Sequence, residues 1–157
     1  MEFIHKSVLL EETIENLNVK PDGIYLDGTL GGAGHSLEIV KKLKNGLLIG
    51  IDQDVDAIKK STEVLSGYED LVIIRKSNFK EFDNVLDSLS IGKLDGALLD
   101  LGVSSFQLDS GERGFSYHQD HPLDMRMDDE NPLNAKIVVN TYSKEDLEDI
   151  IFKYGEE

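Results

Sequence analysis

One short stretch constrains the fold of this chain more than any other. An apolar run, Ile24 to Leu26, ends at Asp27, a cluster of four glycines falls between Gly28 and Gly34, and a helical pattern follows. Glycine lets the backbone turn sharply and lets a ligand approach the main chain closely, and the first-turn amides of the next helix point at such a ligand. The stretch therefore predicts a strand, a tight turn and a helix N-terminus that together bind a nucleotide-type cofactor.

Apolar runs and helical patterns alternate along the first hundred residues. The predicted strands cover residues 24–26, 47–52, 71–74 and 94–100. The predicted helices cover residues 7–18, 35–43, 55–65 and 79–89. The near-continuous apolar run at 47–52 is typical of a strand that is covered on both faces. The alternation predicts an α/β fold, an open parallel sheet with helices on both faces.

Capping residues mark where several of these helices begin and end. Ser7 and Asp54 are predicted to cap the first and third helices, and Ser143 to cap a helix at residues 144–154. Asn45-Gly46 is predicted to close the second helix in the left-handed conformation.

After Asp100 the periodicity is lost. Residues 101–133 are rich in Gly, Ser, Asp and Pro, and a structureless loop of this length inside a compact domain is usually functional or disordered. A short helix is predicted at residues 135–142, before the helix at 144–154. We therefore predict a cofactor-binding domain over residues 1–134, including the long loop 101–134, and a helical segment over residues 135–157.

Composition excludes several classes of site. The 157 residues suffice for one domain with a proper core, and the absence of cysteine excludes disulfides and cysteine-bound metals and suits a reducing cytoplasm. No apolar run approaches the roughly 18 residues of a membrane span. The net charge of −15 argues against an extended phosphate-binding surface. No His or acidic cluster has metal-ligand spacing, so no metal site is predicted.

Acidic residues follow three of the predicted strands, at Asp27, Asp52 and Asp100. Ligands of open α/β sheets bind outside these strand ends, and Asp52 lies about 20 residues beyond the glycine loop, a spacing typical of an acid that accepts hydrogen bonds from ribose hydroxyls. Phe79 follows the other strand, where contact with an adenine and simple core packing are equally open interpretations. His35, inside the loop, is interpreted as a ligand contact or a structural side chain.

The glycine loop differs from the phosphate-binding motifs. It lacks the G-x-G-x-x-G pattern and the Lys-Ser or Lys-Thr pair of a P-loop, and residues 27–35 contain no Lys or Arg to pair with a phosphate. A ligand with an amino-acid tail needs less positive charge, because backbone amides can hold its carboxylate and an acid such as Asp27 its ammonium group. This favours S-adenosylmethionine over NAD or ATP. Beyond the fourth strand, Gln107 is a candidate for a bond to adenine, and Arg113 and Arg126 are interpreted as partners of internal salt bridges.

Taken together, these motifs resemble one family, the RsmH/MraW S-adenosylmethionine-dependent 16S ribosomal RNA cytosine-N4 methyltransferases of bacteria. The most specific matching strings are D-L-G-V-S-S at residues 100–105 and L-D-M-R-M-D at residues 123–128. The resemblance implies a Rossmann-like class I methyltransferase fold in a cytoplasmic enzyme that acts on 16S ribosomal RNA of the small ribosomal subunit. The cofactor contacts that it implies are Ala33, Gly34, His35, Asp52, Phe79, Asp100 and Gln107.

The resemblance also implies candidates for catalysis. Methyl transfer to the N4 amino group of cytidine needs an acceptor for a proton, and Asp100 and Asp124 are the two candidates. The family usually has Gly where this chain has Ala33, which would strain the loop if that position needs a positive φ. It usually has Pro where this chain has Phe106.

The length departs further from the family pattern. The resemblance implies that the chain is an N-terminal part in which the last strands of the sheet and most RNA-binding cations are missing. We therefore expect an exposed sheet edge that favours a homodimer. Two other interpretations stay open: an NAD-dependent oxidoreductase of similar layout, and a cofactor-binding module without activity of its own.

Overall fold

A computed structural model describes residues 7–118 and 120–155, and the chain divides into two compact units, Met1–Gly102 and Val103–Glu157. The predicted division into domains at residue 134 stays a prediction. The first unit contains α1 (Leu10–Leu17), β1 (Ile24–Asp27), α2 (Gly34–Val40), β2 (Leu47–Asp52), α3 (Val55–Val64), β3 (Val72–Lys76), α4 (Phe82–Ser88) and β4 (Gly96–Leu98).

The four strands form one parallel sheet in the order β3-β2-β1-β4. Side chains that alternate along the strands reach two separate core clusters, since successive residues of a strand point to opposite faces. Leu48 packs in the cluster that includes residues of α1 and α2, whereas Ile49 packs in the cluster that includes Leu86 of α4. The α/β fold class, with an open parallel sheet and helices on both faces, is therefore confirmed.

Several predicted element boundaries are confirmed and others shift by a few residues. The strand at residues 47–52 is β2 as predicted, and the Asp54 side chain accepts a hydrogen bond from the Asp56 amide (3.0 Å) as the predicted cap of α3. The third strand begins at Val72 and runs on to Lys76, and β4 is only three residues long. The helix predicted at 79–89 is a 3-10 turn, Phe79–Glu81, followed by α4.

The predicted cap at Ser7 is wrong. The helix α1 begins at Leu10, and the residue before it, Leu9, has a φ of 48° and makes no side-chain capping bond. The Ser7 hydroxyl lies instead beside Gly34, so close that a Cβ at Gly34 would overlap it. Ser7 therefore contacts the start of α2 rather than capping α1.

The predicted end of the second helix is also wrong. The helix α2 ends at Val40, three residues before the predicted end, and neither Asn45 nor Gly46 has a positive φ. The amides of Lys44, Asn45 and Gly46 all donate to the carbonyl oxygen of Pro21, at 2.7, 3.1 and 3.1 Å. The turn that contains Pro21 thus closes this connection, so no left-handed cap is needed.

The second unit contains α5 (Ser105–Asp109), a 3-10 turn (Gly111–Arg113), α6 (Ala135–Thr141) and α7 (Lys144–Gly155). The prediction of a structureless loop over 101–133 is wrong at α5. The helices predicted at 135–142 and 144–154 are confirmed, and the Ser143 hydroxyl accepts the Asp146 amide (3.1 Å) as the predicted cap. Over the described residues, no helix combines the length and the apolar character that crossing a membrane requires.

Candidate cofactor site

Asp27 ends β1 inside the protein, with only 2% of its surface exposed. Its Oδ2 accepts a hydrogen bond from the Ser36 hydroxyl (2.7 Å), and its Oδ1 accepts one from the Thr29 amide (3.1 Å). Burial raises the pKa of Asp27, and the hydrogen bonds from Ser36 and Thr29 oppose that rise. Each carboxylate oxygen thus accepts one hydrogen bond within the protein, whereas the predicted contact with a ligand's ammonium group stays a prediction.

Asp52 ends β2 and connects that strand to the glycine loop. Its Oδ2 accepts the Gly31 amide (2.8 Å) and its Oδ1 accepts the Asp54 amide (2.9 Å). Burial raises the pKa of Asp52, whereas these amide hydrogen bonds lower it. Two amide donors thus fix the orientation of a half-buried carboxylate at the strand end, where sequence reasoning predicted a ribose acceptor.

The glycine loop reaches α2 through two left-handed residues. Gly31 has a φ of 49°, and Ala33, the residue before α2, has a φ of 61° and is fully buried. The backbone at position 33 therefore has the positive φ that an alanine strains. Gly32 is exposed, and a Cβ placed there would meet no atom within 4 Å, so the backbone at this point borders open space.

His35 lies in the first turn of α2 and is 7% exposed. Its Nε2 is 3.0 Å from the carbonyl oxygen of Val8, and since a carbonyl can only accept, Nε2–H is the donor. His35 and Gly34 thus both contact the segment before α1. The geometry assigns this ring nitrogen a structural bond, whereas the predicted contact with a cofactor stays a prediction.

The segments that follow three of the strands meet at Gly28. A Cβ at Gly28 would lie 2.5 Å from a methyl carbon of Leu99, which follows β4, and 3.2 Å from the Cβ of Phe79, which follows β3. Phe79 and Leu99 remain 37% and 50% exposed. Glycine at position 28 therefore allows two half-exposed apolar side chains to approach each other at the carboxyl edge of the sheet.

Asp100 follows β4 and is exposed. Its amide donates to the Thr29 hydroxyl (2.7 Å). Within residues 7–118 and 120–155, we find no hydrogen bond or ion pair to its carboxylate. Asp100 therefore combines a fixed backbone with a carboxylate that is open to solvent.

The second unit contains the two remaining candidates, Gln107 and Asp124. Gln107 is buried and forms a reciprocal capping box with Ser104, in which the Ser104 hydroxyl accepts the Gln107 amide (3.1 Å) and the Gln107 Oε1 accepts the Ser104 amide (3.0 Å). This contact accounts for the side-chain oxygen of Gln107. Its predicted bond to adenine stays a prediction.

Asp124 is held by Arg126 through both carboxylate oxygens. The Arg126 Nε donates to Oδ1 and its Nη2 to Oδ2, each at 2.8 Å. The bonds from Arg126 lower the pKa of Asp124. The predicted internal salt bridge is confirmed for Arg126, while the Nη2 of Arg113 donates to the carbonyl oxygens of Arg126 and Met127 (3.1 and 3.0 Å).

Comparison with known proteins decides the family. The chain matches the MraW methylase family over residues 2–157. It belongs to that family. It is 63% identical to the ribosomal RNA small subunit methyltransferase H 2 of Agathobacter rectalis and 61% identical to the ribosomal RNA small subunit methyltransferase H of Lachnospira eligens, in both cases over its whole length. It covers 51% and 50% of these relatives, so it spans about half their length.

A solved structure supports the fold of this MraW family member and nothing further. The C-terminal domain of precorrin-6Y C5,15-methyltransferase from Rhodobacter capsulatus aligns with a TM-score of 0.50 over 69% of this chain and 56% of that one. The sequence identity is only 17%. The likeness agrees with the parallel sheet described above.

The first unit of this MraW family member places six of the predicted site residues at the carboxyl ends of the strands or on the segments that follow them. They are Ala33, Gly34, His35, Asp52, Phe79 and Asp100. Sequence reasoning missed two residues that hydrogen-bond the strand-end acids. Ser36 bonds Asp27, and Thr29 bonds both Asp27 and Asp100. Thr29 carries no local signal of its contact with Asp100, because that contact depends on β4 lying beside β1.

Proposed function

We propose that this chain supplies the cofactor-binding half of an enzyme that transfers a methyl group from S-adenosylmethionine to the N4 amino group of a cytidine in 16S ribosomal RNA. One observation carries the proposal: the glycine loop, three strand-end acids and the half-exposed Phe79 lie at one edge of the sheet in a member of the MraW methylase family. The chain aligns with about half the length of two relatives that are named as small subunit ribosomal RNA methyltransferases, and these names support small-subunit ribosomal RNA as the substrate.

The donor groups at this edge fit S-adenosylmethionine better than a pyrophosphate cofactor. Residues 27–35 contain no Lys or Arg, and the exposed backbone at Gly32 borders open space. We propose that the backbone at Ala33, Gly34 and His35 holds the amino-acid tail of the cofactor. Asp52 is the proposed acceptor for ribose hydroxyls.

Two further side chains are proposed to complete the cofactor contacts. The half-exposed ring of Phe79 offers an apolar surface to an adenine. Gln107, which lies in the second unit, stays the predicted polar contact of the cofactor. Asp100 is the proposed contact nearest the reacting groups.

Asp100 is the proposed proton acceptor. When bound, S-adenosylmethionine supplies an electrophilic methyl group on a positively charged sulfur. The N4 nitrogen of cytidine is a poor nucleophile because its lone pair conjugates with the ring, and it must lose a proton as it gains the methyl group. The exposed Asp100 carboxylate is available for that proton. Asp124 is the second candidate, but Arg126 already donates to both of its carboxylate oxygens.

The target base must leave its stack to reach such a site. Exposed aromatic side chains of the second unit, Phe106 at 57% and Tyr117 at 91%, are proposed to stack on it. With a net charge of −15, this chain offers few cations for RNA phosphates. We propose that most phosphate contacts are made by the part of the relatives that this chain does not cover.

A chimeric enzyme tests this function. The matching first half of the Agathobacter rectalis relative is replaced by this chain, and the chimera is incubated with isotopically labelled S-adenosylmethionine and small ribosomal subunits that lack the modification. We expect mass spectrometry of the digested 16S RNA to show labelled N4-methylcytidine. A chimera that binds S-adenosylhomocysteine but leaves cytidine N4 unmethylated would contradict the proposal.

Substitution of Asp100 tests the proton acceptor in the same chimera. Asp100→Asn keeps the size of the side chain and removes the base, so we expect the methylation rate to fall by about 10²-fold or more. The matched control is Asp109→Asn, which removes a carboxylate that the proposal does not use. A full rate in the Asp100 variant, with normal cofactor binding, would exclude Asp100 as the acceptor.

A further inference from the structure

Thr29 connects two of the strand ends by hydrogen bonds from both its backbone and its side chain. Its amide donates to the buried carboxylate of Asp27 (3.1 Å), and its hydroxyl accepts the amide of Asp100 (2.7 Å). These three residues all belong to the first unit. Through Thr29, hydrogen bonds therefore connect the backbone of Asp100, whose carboxylate is open to solvent, with the buried carboxylate of Asp27.

The hydroxyl of Thr29 takes the place of a backbone acceptor. The β1–β4 ladder pairs Asp27 with Leu98, and the Gly28 amide still donates to the Leu98 carbonyl (3.0 Å). A regular parallel ladder would next send the Asp100 amide to the carbonyl of Gly28. That amide bonds the Thr29 hydroxyl instead, so the backbone of Asp100 is fixed by a side chain at the point where the ladder ends.

The anchor of Thr29 is itself rigid. Asp27 is 2% exposed, and the Ser36 hydroxyl from α2 donates to its other carboxylate oxygen (2.7 Å). By contrast, Asp100 and Leu101 are both exposed. The Thr29 bond is thus what restrains a solvent-facing segment.

We propose that Thr29 is a positioning residue, which fixes the backbone of Asp100 so that its carboxylate faces the cofactor and the substrate amine in one orientation. This role rests on the proposed function of Asp100. A small displacement of a positioned group is enough to reduce binding and rate, because productive geometry requires contacts of about 3 Å.

The first test is amide hydrogen exchange of this chain, measured residue by residue by NMR without any ligand. In Thr29→Val, which keeps the shape and removes the hydroxyl, we expect the Asp100 amide to exchange at least about threefold faster. Thr29→Ser should restore the wild-type rate. Thr62→Val is the control, because among the described residues the Thr62 hydroxyl bonds only the Ile58 carbonyl, on the exposed side of α3. Unchanged exchange in Thr29→Val would overturn the proposal.

A measurement on the wild type stands even if Thr29→Val fails to fold. The Asp100 amide should be more protected than the amide of its exposed neighbour Leu101, after correction for intrinsic rates. Equal protection of the two amides would overturn the proposal.

The second test is the affinity for S-adenosylhomocysteine, measured by calorimetry. We expect Thr29→Val to weaken binding by about threefold to tenfold, and Thr29→Ser and Thr62→Val to leave it unchanged. Equal loss in the Val and Ser variants would overturn the positioning role, since only one of them lacks the hydroxyl. No binding by the wild type would overturn the proposed function, whereas the exchange data would still decide whether Thr29 fixes Asp100.

Discussion

Asp27 is a carboxyl group whose burial and hydrogen bonds act in opposite directions. Its removal from water raises its pKa, while the Ser36 hydroxyl and the Thr29 amide stabilise the charged form. Burial is the larger effect, so the folded protein binds this proton more tightly than the unfolded chain does, where the pKa lies near 3.8. The stability of the protein should therefore depend on pH through Asp27.

The sign of that dependence follows from the raised pKa. The stabilisation linked to Asp27 is fully present below the unfolded value of 3.8 and is lost as the pH rises through the folded value. We expect the unfolding free energy of the wild type, minus that of Asp27→Asn, to fall from about pH 4 upward and then to level off. Urea unfolding at a series of pH values measures it.

Asp95→Asn is the control, because the contribution of Asp95 to stability should change with pH in the opposite direction. The Ile24 amide lowers the pKa of Asp95, so its contribution is present above 3.8 and is lost as the pH falls through the folded value. A wild-type advantage over Asp27→Asn that grows as the pH rises would contradict the assignment of Asp27.

Ala33 combines a strained backbone with a buried methyl group. Its φ of 61° costs an L-residue about 1–2 kcal/mol, which glycine would relieve. Glycine would also lose the burial of the methyl group, worth about 0.8 kcal/mol, and about 0.5–1 kcal/mol of chain entropy. We therefore expect Ala33→Gly to change the unfolding free energy by less than about 1 kcal/mol, as measured by urea unfolding.

A helical alanine provides the comparison. Ala57 lies inside α3, where glycine relieves no strain, so Ala57→Gly should cost about 1 kcal/mol. If Ala33→Gly were as destabilising as Ala57→Gly or more so, the strain at position 33 would be absent.

Several residue roles could be predicted because their signal is local. Asp54 stands directly before a helical pattern and caps it, and Asp52 ends an apolar run. The capping signal at Ser7 was equally local, yet the Ser7 hydroxyl lies against Gly34, which is 27 residues further along the chain. The sequence could not show that contact, because it exists only once α1 and α2 are packed together.

At the scale of elements, close packing at the strand ends depends on particular glycines. A Cβ at Gly28 would overlap a methyl group of Leu99, and a Cβ at Gly50 would lie 2.8 Å from the buried side chain of Leu30. Gly28 and Gly50 have ordinary negative or extended φ values, so close approach and not backbone freedom selects glycine at these positions.

Gly28→Ala tests this packing. We expect a loss of about 1 kcal/mol in unfolding free energy, because Phe79, whose Cβ would lie 3.2 Å from the added methyl group, must move, whereas the half-exposed Leu99 side chain can turn aside. Gly32→Ala is the matched control in the same loop, where a Cβ meets nothing within 4 Å, and should change stability by less than about 0.5 kcal/mol. Chemical denaturation measures both variants, and equal effects would show that Gly28 is not packed as described.

Element boundaries show where local signals stop. The helix α5 was missed although Ser104 and Gln107 have the spacing of a capping box, because a five-residue helix carries too little periodicity to detect. The end of α2 was misplaced because the acceptor for the amides after it, the Pro21 carbonyl, belongs to an earlier turn. Periodicity located the long elements, whereas tertiary hydrogen bonds set their ends.

At the scale of the whole molecule, charge and length support the same division of roles. The chain carries a net charge of −15 and covers about half the length of its relatives, while its first unit brings together a glycine loop and strand-end acids that need no cation. This composition suits a ligand with an ammonium group and ribose hydroxyls better than a polyanion. The charge and the strand-end acids therefore support the proposal that this chain holds the cofactor.

The most direct test of this account is isothermal titration of the 157-residue chain with S-adenosylhomocysteine and, separately, with NADH. We predict saturable binding of S-adenosylhomocysteine at one site per chain. Asp52→Asn, which removes the carboxylate, should weaken it by about tenfold, and NADH should give no binding heat. Tight binding of NADH, or no binding of S-adenosylhomocysteine by the folded chain, would contradict the account.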